Sequence, residues 1–185
     1  EQPIPRERSF EASLPTRQMP AALLMDEADG TLDAFPRGYA LGWQGVSAKS
    51  CKGLYKAVIN RARCDTFNEA AARDGQPPRA FMSAEDLTCQ AGLSVQQDLA
   101  LAAFLGLRHC ERNGHHYGRG FNTAPAAEAR AFASAHPDLY AGDPPQLQIR
   151  GGRIAIGSLA AAGFAHGADP DPHALQPLDA APALV

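Results

Sequence analysis

Gly45-Val46-Ser47-Ala48-Lys49 decides how this chain is read. It is a short β-like run about the β-branched Val46, and a lysine stands at its carboxyl end. The arrangement recurs on both sides. Leu23-Leu24-Met25 runs into Asp26-Glu27, Phe81-Met82-Ser83-Ala84 into Glu85-Asp86, and Leu105-Gly106-Leu107 leads to His109-Cys110-Glu111. Glu1-Gln2-Pro3 puts a further carboxylate at the first edge. Charged residues at the carboxyl ends of apolar runs, with helical sequence between, are how a parallel α/β barrel places its chemistry.

The intervening segments fit that reading. Asp33 to Leu41 predicts a short helix after a turn at Asp29-Gly30-Thr31. Cys51 to Ala72 has helical periodicity, with Leu54, Val58, Ile59 and Ala62 on one face, and ends at Gly75 to Pro78. Ser94 to Leu105 predicts a helix with Ser94 as N-cap, Gln97 as its capping-box partner and Gly106 as its stop. Strands then fall at 21–27, 45–48, 79–83 and 107–111. Strands alternating with helices imply a parallel sheet with right-handed crossovers. Beyond Gly118 the pattern changes. Ala124 to Ala135 predicts a helix, and Gln146–Ile149 with Arg153–Ile156 predicts a hairpin about Gly151-Gly152. Residues 166–185, rich in Pro, Asp and Ala, read as a loosely packed tail.

With 185 residues the chain is long enough for one domain with a real core. A net charge of −3 argues against a nucleic-acid surface. No secretory signal is visible in the charged, Pro-rich start, and Leu99 to Leu107 is too short to span a membrane. The four cysteines, Cys51, Cys64, Cys89 and Cys110, form no C-x-x-C pair and match no zinc spacing. They read as reduced thiols in a cytoplasmic protein. A chain beginning Glu1-Gln2-Pro3 reads as a fragment.

Glu1-Gln2-Pro3, Met25-Asp26-Glu27-Ala28, Val46-Ser47-Ala48-Lys49 and the late hairpin followed by Gly163-Phe164 together resemble the C-terminal half of the enolase superfamily. The resemblance is to the mandelate racemase and muconate lactonizing enzyme subgroup, and covers residues 1 to about 165. It implies an α/β fold, the C-terminal half of a TIM-type (β/α) barrel. Residues 1–120 would hold about strands four to eight. Residues 121–165 would be a terminal segment, with its hairpin, returning to a capping domain, and 166–185 the tail. It implies Mg²⁺ as cofactor, with Glu1 and Asp26 as ligands and Glu27 as an alternative or supporting acid. A third ligand would come from a strand upstream of Glu1.

The resemblance further implies a small carboxylate substrate and abstraction of its α-proton, leading to racemisation, dehydration or cycloisomerisation. Lys49 would be the base. Glu111 and His115 are further candidates for catalysis, and Glu85, Asp86 and His116 for substrate contact. Lys52 and Lys56 read as solvated residues of the following helix. The intact protein would be a homo-oligomer, without nucleic-acid or membrane partners. An unclosed barrel sheet would leave apolar residues such as Leu24, Val46 and Met82 exposed. Three other readings compete: an inactive remnant, a hydrolase built on Cys51 and His115, and a helix-turn-helix over residues 84–120 with Arg108, Arg112 and Arg119 on DNA.

Overall fold

A computed structural model describes residues 5–14, 19–84, 91–111 and 120–175. The chain is mixed α/β and divides into two compact units. The first comprises Glu1–Leu87 and Leu101–Arg112, the second Thr88–Ala100 and Asn113–Val185. The division therefore crosses the boundary at 120 expected from sequence.

In the first unit β1 (Leu24–Met25), β2 (Gly45–Ala48) and β3 (Phe81–Ala84) form a parallel sheet in that order. The crossovers carry α1 (Ala34–Ala40) and α2 (Leu54–Arg73). Met25 pairs with Val46 and Val46 with Met82, while Ala48 pairs with Ala84. A parallel bridge from Ala84 to Cys110 extends the order to a fourth position. The strand expected at 107–111 is reduced to that bridge, and the one expected at 21–27 to two residues. Among the described residues the sheet is open.

Because side chains alternate across a strand, the register sorts them into two faces. Leu23, Met25, Val46, Ala48 and Met82 share one face and join a core with Phe35, Trp43, Leu101 and Leu105. Leu24, Val46 and Met82 are all buried, against the expectation of exposed barrel residues. Val46 and Met82 lie on the helix-packed face, which needs no closed barrel to cover it. On the other face Gly45 sits opposite Phe81, and a Cβ there would overlap the ring.

The α2 helix ends as its sequence directs. Gly75, at φ +67°, donates to the Ala72 carbonyl, and Gln76 donates to that of Ala71. These bonds satisfy carbonyls that a helix end leaves orphaned. Gly106 and Leu107 end α3 (Leu93–Phe104) in the same way, on Ala103 and Ala102. Ser94 lies inside α3 and so is not its N-cap. The buried face of α2 also differs from expectation. It carries Ala57, Asn60 and Cys64, whereas Leu54, Val58 and Ile59 are exposed. Asn68 ties α2 to β3, giving its amide to the Ala80 carbonyl at 2.8 Å and accepting from the Arg79 and Ala80 N–H groups.

In the second unit α4 (Ala126–Ala135) precedes an antiparallel pair, β4 (Tyr140–Ala141) with β5 (Gln146–Leu147). The hairpin expected over 146–156 survives only as its turn. Arg150 and Arg153 bridge across Gly151 and Gly152, both at positive φ, while β5 pairs with β4 instead. Phe121 packs on Phe132 and Tyr140, with ring centroids 5.7 and 5.0 Å away. The Tyr140 hydroxyl accepts from Gly92 N–H and Gln96 Nε2, each at 3.0 Å.

Candidate functional site

The carboxyl ends of β1 and β2 bring charge together. Asp26 directly follows β1 and Lys49 directly follows β2. Lys49 Nζ donates to Asp26 Oδ2 at 2.7 Å. The 3₁₀ turn Ser50–Lys52 then folds Lys52 back over the same carboxylate. Lys52 Nζ donates to Asp26 Oδ1 at 3.0 Å and to the Asp26 carbonyl at 2.7 Å. Ser47 Oγ donates to Asp26 Oδ1 at 2.5 Å. One turn into α2, Lys56 pairs with Asp29 Oδ2 at 2.8 Å and also donates to the Asp29 carbonyl. Asn60 Nδ2 reaches Asp29 Oδ2 at 3.4 Å, and Asp29 Oδ1 is buried without a hydrogen-bond partner among the described residues.

These pairs are nearly dry. Side-chain exposure is 2 % for Asp26, 9 % for Lys49 and 17 % for Lys52, so water screens them weakly. Burial alone would raise the Asp26 carboxyl. The hydrogen bonds from Lys49, Ser47 and Lys52, with the Lys52 charge, outweigh it and hold Asp26 well below the usual carboxylate range. Asp29 goes the other way, raised by burial that Lys56 only partly offsets. Burial lowers Lys52, against the attraction of Asp26. Lys49 and Lys52 thus share the Asp26 carboxylate, and Lys56 pairs with that of Asp29.

Asp26 and Lys49, joined in sequence only by their places at strand ends, are thus in contact. Glu27 is exposed. Glu111 is half-buried beyond the fourth strand position, its N–H on the Ala84 carbonyl at 2.8 Å. Glu1, Glu85, Asp86, His115 and His116 lie outside the described residues. Lys52 and Lys56, expected to be solvated, are ion-paired and largely buried. Helical spacing could not have shown this, because Lys49 is extended, Lys52 lies in a 3₁₀ turn and Gly53 at φ +101° separates both from Lys56 on α2. Ser47, Ser83 and His109 were also missed. Two serines at matching places in apolar strands were the available sign.

An ionised aspartate offers the hard oxygens that Mg²⁺ prefers, so Asp26 fits the ion in kind. Among the described residues no three His, Cys, Asp or Glu side chains come together to hold a metal. In number the set therefore depends on Glu1 and other acids outside them. Cys51 is exposed and Cys64 buried, where burial pushes its thiol up to about 12. Among the described residues of 84–120 there is one helix, α3. No described helix is long and apolar enough to cross a membrane. No family model, curated protein or solved structure matches this chain.

Proposed function

We propose that the first unit carries magnesium-dependent abstraction of the proton α to a carboxylate, as in racemases, dehydratases and cycloisomerases of the enolase superfamily. The supporting observation is the contact of Lys49 with Asp26 across the carboxyl ends of adjacent parallel strands. The strand order and the helical crossovers are those a (β/α) barrel requires. Glu1 and Asp26 would hold the ion. When bound, it would take up charge that develops on the substrate carboxylate. Enolase-superfamily sites are an established case of a Lys or His base working beside Mg²⁺.

Lys49 is the proton acceptor in this reading. A neutral amine is needed in this role, and Lys52 brings a second ammonium to the carboxylate that Lys49 shares. Asp26 aims Lys49 along the sheet, and Lys52 with Ser47 fixes Asp26 in turn. The substrate in this reading is a small carboxylic acid.

Solvent deuterium incorporation, followed on a panel of carboxylic acids with Mg²⁺ present, tests this. Lys49→Ala is expected to lose α-exchange by about 10²–10⁴-fold while magnesium affinity, measured in parallel, stays near wild type. Asp26→Asn is expected to weaken magnesium first. Wild-type exchange in Lys49→Ala would move the base elsewhere.

A further inference from the structure

The turn at Gly151-Gly152 in the second unit brings two arginines together. Arg150 N–H donates to the Arg153 carbonyl at 2.8 Å, and Arg153 N–H donates back to that of Arg150 at 3.0 Å. The two form a hydrogen-bonded antiparallel pair, closed by glycines at φ +56° and +72°. A two-residue connection of this kind needs positive φ at both positions, and glycine takes it without strain. Directly opposed residues in such a pair stand about 5.5 Å apart at Cα and send their side chains to the same face. The backbone thus sets two guanidinium groups side by side.

Both arginines border a cavity of about 310 Å³, with Gln148, Asp138, Ile154 and Ala155. Neither makes an ion pair among the described residues. Gln148 Oε1 accepts from Arg150 Nη2, which holds one guanidinium at the rim. Asp138 is the one acid in the lining, and its oxygens are engaged by the Ser158 hydroxyl and by the Ser158 N–H at 3.0 Å. It fastens its own turn rather than an arginine. A neighbouring hollow of about 550 Å³ shares Gln148 and Arg150, but its lining sets that one arginine against one acid, Asp143. The smaller cavity combines two cations with an apolar wall of Ile154 and Ala155. A guanidinium keeps its proton in a protein, and its planar fork of N–H donors matches two oxygens of a carboxylate or a phosphate.

We propose that Arg150 and Arg153 clamp the oxyanion of a small molecule, a carboxylate or a phosphate, with its apolar remainder against Ile154 and Ala155. The site lies wholly in the second unit and does not rest on the function proposed for the first. Two cations held side by side repel one another, and an anion between them turns that repulsion into attraction. The cavity is at the small end of the range that ligand sites occupy, so the ligand is a compact one. Exposure sets the strength. Both arginines are exposed, so water and salt weaken each contact, and affinity in the millimolar range is expected.

The test uses the full chain and two probes, inorganic phosphate and butyrate, each titrated to tens of millimolar at low ionic strength. The Gly151 and Gly152 amide signals in proton–nitrogen NMR spectra are expected to shift and saturate, and to respond less as salt is raised. Saturation by phosphate alone makes the ligand a phosphate. Saturation by butyrate alone makes it a carboxylate with an apolar remainder, and saturation by both shows that the shared oxyanion is what the clamp reads. Arg150→Gln and Arg153→Gln are each expected to weaken binding about two- to fivefold, and the double variant to abolish it. No saturation with either probe, or saturation that survives in the double variant, overturns the clamp. Phenylglyoxal modification of wild type, mapped by mass spectrometry, reads the same contact without any variant. The probe that binds should slow the reaction at Arg150 and Arg153 but not at Arg79 and Arg130, which are also exposed. Equal slowing at all four arginines would be general ion screening and would overturn the proposal.

Discussion

In the first unit Asp26 and Asp29 meet Lys49, Lys52 and Lys56, with full charges buried at strand ends. In the second, buried His136 and half-buried Ser158 and Asp138 form a polar group of different character. His136 is 1 % exposed, and its Nδ1 lies 3.1 Å from Ser158 Oγ. Ser158 gives both its hydroxyl and its N–H to Asp138, which tethers the 3₁₀ turn Gly157–Ala160. Burial would raise the Asp138 carboxyl, but the bonds from Ser158 and Gly157 outweigh it and lower it. The second network thus satisfies backbone groups. The first joins side chains of full charge, two ammoniums on Asp26 and one on Asp29. Buried charge seldom stabilises relative to apolar packing, so full charges gathered at strand ends suit chemistry, whereas a network around a turn suits structure.

The sharpest way to break this contrast is to remove one acid from each group. Asp26→Ala leaves two ammoniums without their carboxylate and should cost about 3–5 kcal/mol. Asp138→Ala removes hydrogen bonds to a turn and should cost about 1–3 kcal/mol. Urea midpoints at neutral pH give both values. A larger loss from Asp138→Ala would reverse the assignment of roles.

Lys56→Met should come next, at about 3 kcal/mol at neutral pH, because it strands the Asp29 carboxylate in a dry site. Its pH dependence follows from the direction of the Asp29 shift. The native carboxyl already holds its proton at higher pH than the unfolded one. That contribution is present below the unfolded value of about 3.8 and is lost as pH rises through the folded value. Removing Lys56 raises the folded value further. The deficit of Lys56→Met should therefore shrink as pH falls, and a deficit constant with pH would show that Asp29 carries no charge in the native state.

Two smaller effects sharpen the second region. A Cβ on Gly167 would stand 2.7 Å from His136 Nε2, so Gly167→Ala should cost about 1–3 kcal/mol by overpacking. A thermal melt that matches wild type would show that the ring has room to move. Burial also lowers the His136 pKa, with Asp138 and Ser158 opposing. The unfolded chain then takes up a proton first, so this contribution is present above about 6.5 and is lost as pH falls toward the folded value. Amide exchange at Leu139 and Leu159 should quicken over that window, while that at Val46 should not. Equal acceleration at all three would remove the contrast.

Much of the first unit was legible in the sequence. Gly45 to Ala48 is a strand at the bounds its composition suggests, and Ala34–Ala40 and Leu93–Phe104 are helices close to those expected. Gly75 and Gly106 stop their helices because only glycine turns into positive φ without strain. The face of α2 was misread because Leu54, Val58 and Ile59 form an apolar set by period alone, and period does not say which side meets the core. The pairing of β4 with β5 was missed because Tyr140–Ala141 is too short to carry an alternation.

At the candidate site the sequence by itself placed Asp26 and Lys49 at strand ends, since an apolar run followed by a charge is a local pattern. The tertiary structure decided which groups meet. Parallel register, set by hydrogen bonds between strands far apart in sequence, lined Asp26, Ser47, Ser83 and His109 into one row. The fold of Ser50–Lys52 and the first turns of α2 brought Lys52 and Lys56 down onto buried carboxylates rather than out to solvent. A lysine's composition is the same in either place. Only the position of a partner some twenty-odd residues away, and the absence of water between them, makes one a surface charge and the other part of a site.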